Sequence, residues 1–328
     1  MTQPILEALT VSKSFKLRGE VPGRGQKARL TALDGVSLTI NAGETLGIAG
    51  ESGCGKSTLA KLLTGLLAPD SGIIRFRGND VHHLNAEERR LFRRSVQMVF
   101  QDPFSSLNPR LRIGDAIAEP LLIHGLAPAV TCRSQTIGLM QQVGLSAELY
   151  DRFPHEFSGG QRQRIGIARA LAAEPSVLVA DEPVSSLDIS IQAQIINLLM
   201  ELKQRQGLTM AVISHDLAVL RHMSDRIAVM YLGTVVELAP AQTLFTQCRH
   251  PYTEALMAAI PRLQSTRQRQ PAGLQHELPP LHSVPNGCRF HPRCPYAEEI
   301  CRQQVPPLTE QAPGHVAACH LRHHLSKV

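Results

Sequence analysis

A glycine-rich stretch, GESGCGKST, occupies residues 50–58 of this 328-residue chain. It fits the pattern G-x-x-x-x-G-K-S/T, in which glycines let backbone N–H groups curl around phosphate oxygens and the following helix offers its positive N-terminus. A short apolar run, ETLGIAG, leads into it, and the amphipathic KSTLAKLLTGLL follows it. This context predicts a phosphate-binding loop between a strand and a helix, rather than an ordinary glycine-rich turn.

The phosphate loop assigns roles to individual side chains. The Lys56 ammonium is predicted to reach the β- and γ-phosphates, and the Ser57 hydroxyl to hold Mg²⁺. Cys54 has two interpretations, a small residue that faces the protein or a thiol that regulates nucleotide binding. The predicted nucleotide-binding residues of this stretch are Gly50, Glu51, Ser52, Gly53, Cys54, Gly55, Lys56, Ser57 and Thr58.

A second segment, SVLVADEP at residues 176–183, extends the prediction to phosphoryl chemistry. Its apolar residues indicate a buried strand, and open α/β sheets bind ligands at the carboxyl ends of their strands. Asp181 is predicted to bind Mg²⁺ through water. Glu182 is predicted to polarise the attacking water, because in-line phosphoryl transfer needs an oriented and activated nucleophile.

The stretch FSGGQRQR, which starts at Phe157, is a sequence feature that distinguishes this chain from most proteins with a phosphate loop. Ser158, Gly159 and Gly160 precede a predicted helix, which offers a second helix N-terminus to an anionic phosphate. One phosphate loop does not require such a second cradle. Here the sequence resembles the ATP-binding-cassette (ABC) ATPases, whose signature is usually LSGGQ. Phe157 replaces the leucine, and we expect this change to alter packing rather than function.

The resemblance implies further site residues. Gln161 completes the signature, Gln101 in VFQDP matches the Q-loop glutamine that touches Mg²⁺ and the attacking water, and His215 in ISHD matches the histidine that contacts the γ-phosphate. Asp188 ends the D-loop, and Phe15 is the aromatic residue expected to stack on adenine. The catalytic residues implied are Glu182, His215 and Gln101, and the Mg²⁺ ligands are Ser57, Gln101 and Asp181.

Strand–helix alternation predicts an α/β fold with a mainly parallel sheet covered by helices on both faces. The resemblance implies a P-loop NTPase nucleotide-binding domain with a RecA-like core, an antiparallel β subdomain and a helical subdomain. We expect this domain at residues 1–262, with the helical subdomain at about 102–157. A Pro-rich linker at 263–287 and a Cys-rich C-terminal extension at 288–328 are predicted to follow.

Local patterns predict several strands and turns. The segments ILEALTVSKSF and LTALDGVSLTI alternate like strands, with turns expected at DG and at NAG. GIIRFRGNDV and RIAVMYLGTVVELA are each predicted to form a hairpin. IGDAIAEPLLIHGL and SQTIGLMQQVGL are the helices expected in the helical subdomain.

Three segments resemble a narrower group. VFQDPFSSLNPR, then HPYTEAL and PRL near residues 250–263, and the Cys-rich tail look like the ATP-binding subunits of bacterial dipeptide/oligopeptide importers, and most like the F-type member. That group also includes nickel and glutathione systems. The resemblance implies a head-to-tail pair with a homologous ATPase, two membrane permease subunits and an extracytoplasmic substrate-binding protein. It also implies a peripheral position at the cytoplasmic face of the inner membrane.

A non-transport switch ATPase acting on nucleic acid or ribosomes is the rival function. The chain has one cassette, no sustained heptads and no basic run suited to nucleic acid, and its formal charge of +6 is scattered. Trp is absent and aromatic residues make up 4%, which disfavours a base-stacking surface. The N-terminus lacks the pattern of a secretory signal, and the apolar runs are far shorter than the ~20 residues of a membrane-spanning helix. Transport, without nucleic-acid partners, is therefore favoured.

Four cysteines, at positions 288, 294, 301 and 319, fall in the C-terminal extension. The first two intervals are wider than the C-x₂₋₄-C spacing typical of structural zinc, and disulfides are rare in a reducing cytosol. Four thiolates can hold an iron–sulfur cluster, and the importer resemblance implies a [4Fe–4S] cluster on Cys288, Cys294, Cys301 and Cys319. Two alternatives stay open: zinc with a histidine among its ligands, and thiols that are free or form disulfides. The histidines considered for zinc are His291, His315 and His320.

Overall fold

The computed structural model describes residues 3–16, 29–185, 187–260 and 284–321, without the side chain of Ser105. The strands among these residues are β1 (Pro4–Lys16), β2 (Arg29–Asn41), β3 (Thr45–Ala49), β4 (Ser71–Phe76), β5 (Asn79–Asp80), β6 (Val96–Val99), β7 (Val177–Asp181), β8 (Thr209–Ser214), β9 (Arg226–Tyr231), β10 (Thr234–Pro240), β11 (Thr309–Ala312) and β12 (His315–Ala317).

The α-helices of the described residues are α1 (Lys56–Leu63), α2 (Ala86–Ser95), α3 (Pro103–Ser106), α4 (Ile113–Ile123), α5 (Ala129–Gln142), α6 (Gly159–Leu171), α7 (Ile189–Gln206), α8 (Leu217–Met223), α9 (Ala241–Gln247), α10 (Pro251–Ala258) and α11 (Glu299–Gln303). Single 3₁₀ turns lie at Ala147–Leu149, Pro154–Glu156 and His291–Arg293.

The larger sheet has the strand order β11-β12-β10-β9-β3-β8-β7-β6. Its strands from β9 to β6 run parallel, as the strand–helix alternation predicted. In β7, Val177 and Val179 pack into one hydrophobic cluster, while Leu178 and Ala180 pack into another. Both faces of the sheet are therefore buried, which explains why this strand is a continuous apolar run instead of an alternating one.

The smaller sheet is antiparallel, with the order β2-β1-β4-β5. The predicted turn at DG is wrong, because Asp34 and Gly35 lie within the single strand β2. Gly35 has φ +62° and its N–H donates to Ser12 Oγ at 3.0 Å. The register shifts there, so the glycine makes a bulge that bends the strand. The turn at NAG and both predicted hairpins are confirmed.

The predicted helical segment contains α3, α4 and α5, which pack against α6. Both helices expected there are confirmed, although α5 begins at Ala129, five residues before the SQ of the predicted segment. Tyr150 covers the start of α4 so closely that a side chain at Gly114 would meet its ring at 2.4 Å. This contact helps fix the helical segment on the 3₁₀ turns that precede α6.

The C-terminal segment, residues 284–321, is joined directly to the larger sheet. The sequence patterns did not predict this connection. Strand β12 pairs with β10, and β11 pairs with β12. The fully buried Glu237 carboxylate of β10 accepts hydrogen bonds from the backbone N–H groups of Arg249 and His250 and contacts His315 Nε2 at 2.7 Å. Residues 263–283 of the predicted linker lie outside the described residues.

Candidate nucleotide-binding site

The phosphate loop, Gln101, Glu182 and His215 lie at the carboxyl ends of four parallel strands. A cavity of about 210 Å³ opens there and brings together residues from distant parts of the chain. The lining residues are Phe15, Leu30, Ala32, Ser52, Gly53, Gly55, Lys56, Ser57, Thr58, Gln101 and Glu182. Leu30 and Ala32 were not predicted, because an apolar residue in a strand carries no local signal of a ligand site.

The glycine-rich loop between β3 and α1 wraps around the Lys56 side chain. Lys56 Nζ donates to the carbonyl oxygens of Gly50 and Glu51, each at 2.8 Å. Gly55 has φ +107°, and a Cβ atom there would lie 2.4 Å from the Ala32 carbonyl oxygen, so the loop requires glycine at this position. Burial raises the pKa of the Cys54 thiol, which favours a packing role over thiol regulation.

Ser57 and Asp181 form the predicted metal-binding corner. Ser57 Oγ donates to Asp181 Oδ1 at 3.1 Å. Burial raises the pKa of Asp181, and the hydrogen bond from Ser57 offsets only part of that effect. A hydroxyl and a carboxylate are oxygen ligands that Mg²⁺ accepts, with water and substrate phosphates supplying the others. The donor set therefore fits Mg²⁺ bound together with a nucleotide.

The three predicted catalytic side chains meet at one carboxylate oxygen. Gln101 Nε2 donates to Glu182 Oε2 at 3.0 Å, and His215 Nδ1 lies 3.3 Å from the same oxygen. Glu182 has φ +45°, a conformation that costs a non-glycine residue free energy and that clusters at functional sites. Its N–H donates to the Ile213 carbonyl at 3.0 Å, which fixes the backbone of Glu182 against β8.

The signature residues form the start of α6 and none of them lines this cavity. Ser158 Oγ accepts from Gln161 N at 3.3 Å, and Gln161 Oε1 accepts from Ser158 N at 3.0 Å, which is a capping box. A Cβ atom at Gly160 would meet Ile191 Cγ2 at 2.5 Å, so this glycine lets α6 approach α7. The signature is thus a formed helix N-terminus that is not part of the lining of the chain's own nucleotide cavity.

Phe15 and Asp188 occupy different surroundings. Phe15 lies near the end of β1, lines the cavity and is 38% exposed, so a ring face is accessible to a ligand. Asp188 precedes α7, is exposed and makes no side-chain cap hydrogen bond. The structure therefore brings Phe15 to the cavity but leaves Asp188 outside it.

Two contacts to the phosphate loop were missed by the sequence patterns. Tyr252 Oη accepts from the Glu51 N–H at 2.9 Å, and Arg293 contacts the Glu51 carboxylate. Tyr252 belongs to HPYTEAL, which suggested a family resemblance but no contact. Arg293 lies 242 residues from Glu51 along the chain.

The four tail cysteines line one small cavity with His250, His291 and His320. All seven cysteines of the chain are free thiols. Burial raises the pKa of Cys288, of Cys319 to about 11 and of Cys294 to about 12, and neighbouring thiols add to each shift. Within the described ranges, no group of three or more His, Cys, Asp or Glu side chains is arranged to hold a metal ion. The cysteines converge, but the predicted iron–sulfur site is not formed by them here.

Known families match two parts of the chain. The family model described as "ABC transporter" matches residues 33–185, and the model described as "Oligopeptide/dipeptide transporter, C-terminal region" matches residues 236–301. The oligopeptide transport ATP-binding protein AppF of Bacillus subtilis is 48% identical over 97% of this chain and 98% of its own length. The chain belongs to the ATP-binding proteins of the oligopeptide/dipeptide ABC transporter family. Like the rest of that family, it is an ABC-type ATPase.

Other relatives agree with this assignment. The di/tripeptide transport ATP-binding protein DppF of Pseudomonas aeruginosa is 48% identical, with coverage of 97% of this chain and 98% of that protein. The solved "Dimeric structure of a post-hydrolysis state of the ATP-binding cassette MJ0796 bound to ADP and Pi" is 30% identical, with a TM-score of 0.64 over 72% of this chain and 98% of that one. These names confirm the predicted resemblance to ABC cassettes and to F-type members. Among the described residues, none of the helices combines the length and the apolar character that a membrane span requires.

We predict that Glu182→Gln keeps ATP binding and abolishes turnover, because an amide cannot polarise water as a carboxylate does. With the chain assembled with its partners, phosphate release should fall at least about a hundredfold, while the Kd for MgATP changes by less than about threefold. Glu174→Gln is the matched control, because Glu174 is an exposed carboxylate that pairs with Arg94 instead of the site residues. Wild-type turnover in Glu182→Gln would remove Glu182 from catalysis.

Proposed function

We propose that this chain binds and hydrolyses MgATP to energise the import of dipeptides and oligopeptides through two partner permease subunits. It would act as a peripheral protein at the cytoplasmic face of the inner membrane. One observation carries the proposal: similarity to peptide-transport ATP-binding proteins extends over 97% of the chain, beyond the cassette and through the C-terminal region. A cassette that served another machine would need to share only the nucleotide site.

The geometry of the phosphate loop indicates which residues would contact the nucleotide. Lys56 Nζ already lies among carbonyl oxygens of the loop, so it can exchange these neutral acceptors for anionic phosphate oxygens. Mg²⁺, when bound, neutralises charge that develops on the phosphates. Ser57 would hold it directly and Asp181 through water. Phe15 would offer its ring face to the adenine.

The three side chains that meet at Glu182 are proposed to orient and activate the attacking water. Glu182 would accept a proton from the water, and Gln101 would orient that water through its amide. His215 would contact the γ-phosphate, where negative charge must be stabilised during transfer. Their distances of 3.0 and 3.3 Å to one oxygen support a shared role.

The nucleotide site is proposed to be composite. The signature residues Ser158–Gln161 and the nearby Asp188 do not line the chain's own cavity, so they are available to a nucleotide held by another cassette. We propose a head-to-tail pair with a homologous ATPase. The dimeric structures recorded for the MJ0796 cassette support such pairing. Residues 1–262 would form the cassette, with about 102–157 as its helical subdomain.

Other solutes and another class of function remain as alternatives. Nickel or glutathione importers share the same family resemblance, and the solute is chosen by the binding protein and the permeases. A switch ATPase acting on nucleic acid or ribosomes finds little support, because Trp is absent and aromatic residues make up 4% of the chain, which disfavours a base-stacking surface.

Purification of the tagged chain from detergent-solubilised membranes tests the proposed partners. We expect two hydrophobic permease chains and a second ATPase to co-purify at stoichiometric amounts, because the proposed importer needs membrane-spanning subunits and a paired cassette. A soluble preparation of the same tagged chain from the cytosolic fraction serves as the control. Recovery of ribosomes or DNA instead of permease chains would contradict the proposal.

We also propose that the C-terminal extension at 288–328 holds a [4Fe–4S] cluster on its four cysteines, with 263–287 as the linker. The convergence of four thiols on one cavity supports it, because thiolates are the usual cluster ligands. Their raised pKa values mean that assembly must release protons, as thiolate ligation requires. The cysteine side chains must also rearrange, since within the described residues they are not arranged as a metal site.

Anaerobically purified protein should then be brown and contain about four irons per chain. Cys294→Ser should remove most of the iron and the colour, whereas Cys132→Ser, a buried cysteine of α5, should keep both. Iron and sulfide content and the absorption spectrum are the measurements. Colourless anaerobic protein with stoichiometric zinc, or with four reactive thiols and no metal, would contradict the cluster.

A further inference from the structure

The phosphate-binding loop is held from outside by the C-terminal segment. Arg293 lies in the 3₁₀ turn His291–Arg293, between Cys288 and Cys294. Its Nη1 donates to Glu51 Oε2 at 2.9 Å and its Nη2 donates to Glu51 Oε1 at 3.0 Å. This is a two-point contact between a guanidinium and a carboxylate, a geometry that gives strong and directional pairing.

Burial distinguishes this ion pair from the surface pairs of the molecule. The side chain of Arg293 is 4% exposed and that of Glu51 is 21% exposed. In the surface pair of Arg133 and Asp151 the corresponding values are 59% and 49%. Burial alone would lower the pKa of Arg293, but hydrogen bonds to Glu51 and Tyr231 outweigh it and raise that pKa. Removing one partner of such a buried pair leaves the other charge without compensation. In a surface pair, the remaining charge is solvated by water.

An aromatic cluster supports the same contact. Tyr231, Tyr252 and Phe290 pack with ring centroids 4.6 to 5.4 Å apart, and each is almost fully buried. Tyr231 Oη lies 3.4 Å from Arg293 Nη1, and Tyr252 Oη accepts from the Glu51 N–H. The carboxylate and the backbone of Glu51 are therefore both fixed, one by the C-terminal segment and one by α10.

Glu51 is the second residue of a loop whose ligand is a polyanion. Its carbonyl oxygen accepts from Lys56 Nζ, so its position also bears on the lysine that reaches the phosphates. An uncompensated carboxylate in this loop would repel the triphosphate and compete for the lysine, since opposite and like charges interact strongly in a partly buried site. A cation that pairs with the Glu51 carboxylate removes both the repulsion of the triphosphate and the competition for the lysine.

We propose that Arg293 is a positioning residue of the nucleotide site, which neutralises Glu51 and holds the phosphate loop in its ATP-binding form. Through it, the cysteine-bearing segment contributes to ATP affinity without touching the nucleotide. Nothing in the local sequence around Arg293 indicates this role, because the contact joins two segments that are far apart in the chain.

A merely structural role in seating the C-terminal segment is the competing explanation. Arg289 offers the matched control, because it lies on the same segment and its guanidinium contacts the Asp34 carboxylate and the Leu232 carbonyl oxygen. Like Arg293, it is a largely buried arginine that fastens the segment to the cassette. Unlike Arg293, it makes no hydrogen bond to the phosphate loop among the residues that the structure describes.

The test is a double-mutant cycle on the full chain, with the Kd for MgATP measured by calorimetry. Arg293→Gln should weaken binding about five- to twentyfold, because the amide carries no charge to compensate that of Glu51. In the Glu51→Gln background, the same Arg293→Gln change should alter the Kd by less than about twofold. Arg293→Lys should stay within about threefold of wild type, and Arg289→Gln should do the same. In the assembled complex, Arg293→Gln should raise KM for ATP and leave kcat within about twofold.

Several outcomes would overturn the proposal. These are unchanged ATP affinity in Arg293→Gln, an equal loss in the Glu51→Gln background, or an equal loss in Arg289→Gln. The last two would mean that seating of the segment, not the charge at Glu51, matters. If Arg293→Gln does not fold, Arg293→Lys carries the test, and a loss of tenfold or more in that variant would overturn charge compensation.

Discussion

Parallel pairing of β6, β7, β8 and β3 is the constraint on which the site depends. Each of these strands ends at the same edge of the sheet, and each is followed by one site segment. Gln101 follows β6, Glu182 follows β7 and His215 follows β8, while the phosphate loop follows β3. A change of register would turn each side chain to the other face of the sheet, disrupt the packing on both faces and separate the catalytic groups.

The nucleotide site also depends on compensation of the negative charge of its carboxylates. The site must accept a polyanion, yet it contains three carboxylates near the phosphate loop. Ser57 donates to Asp181, Gln101 donates to Glu182, and Arg293 pairs with Glu51. Each acid is paired with a neighbour that stabilises its charged form, and the remaining compensation for the metal-binding corner is expected from Mg²⁺.

The sequence predicted the cassette well because its signals are local. Glycine spacing, a buried strand and an adjacent pair of acids each lie within about ten residues, as the stretch around Lys56 illustrates. Long-range features were missed: the bulge at Gly35 was predicted as a turn, and the short β11 and β12 carry too few residues for a periodic pattern. The contact of Arg293 with Glu51 could not be predicted, since its partners are far apart in the chain and an arginine in a loop is usually solvated.

The central claim is that ATP turnover at this chain drives peptide uptake, and uptake into proteoliposomes that contain the purified complex tests it most directly. With binding protein on the outer side and MgATP on the ATPase side, a labelled dipeptide should accumulate, and Glu182→Gln in this chain should reduce the initial rate at least about tenfold, as expected for loss of a catalytic base. Equal accumulation without ATP, or ATP hydrolysis by the complex with no uptake of any di- or oligopeptide supplied, would contradict the account.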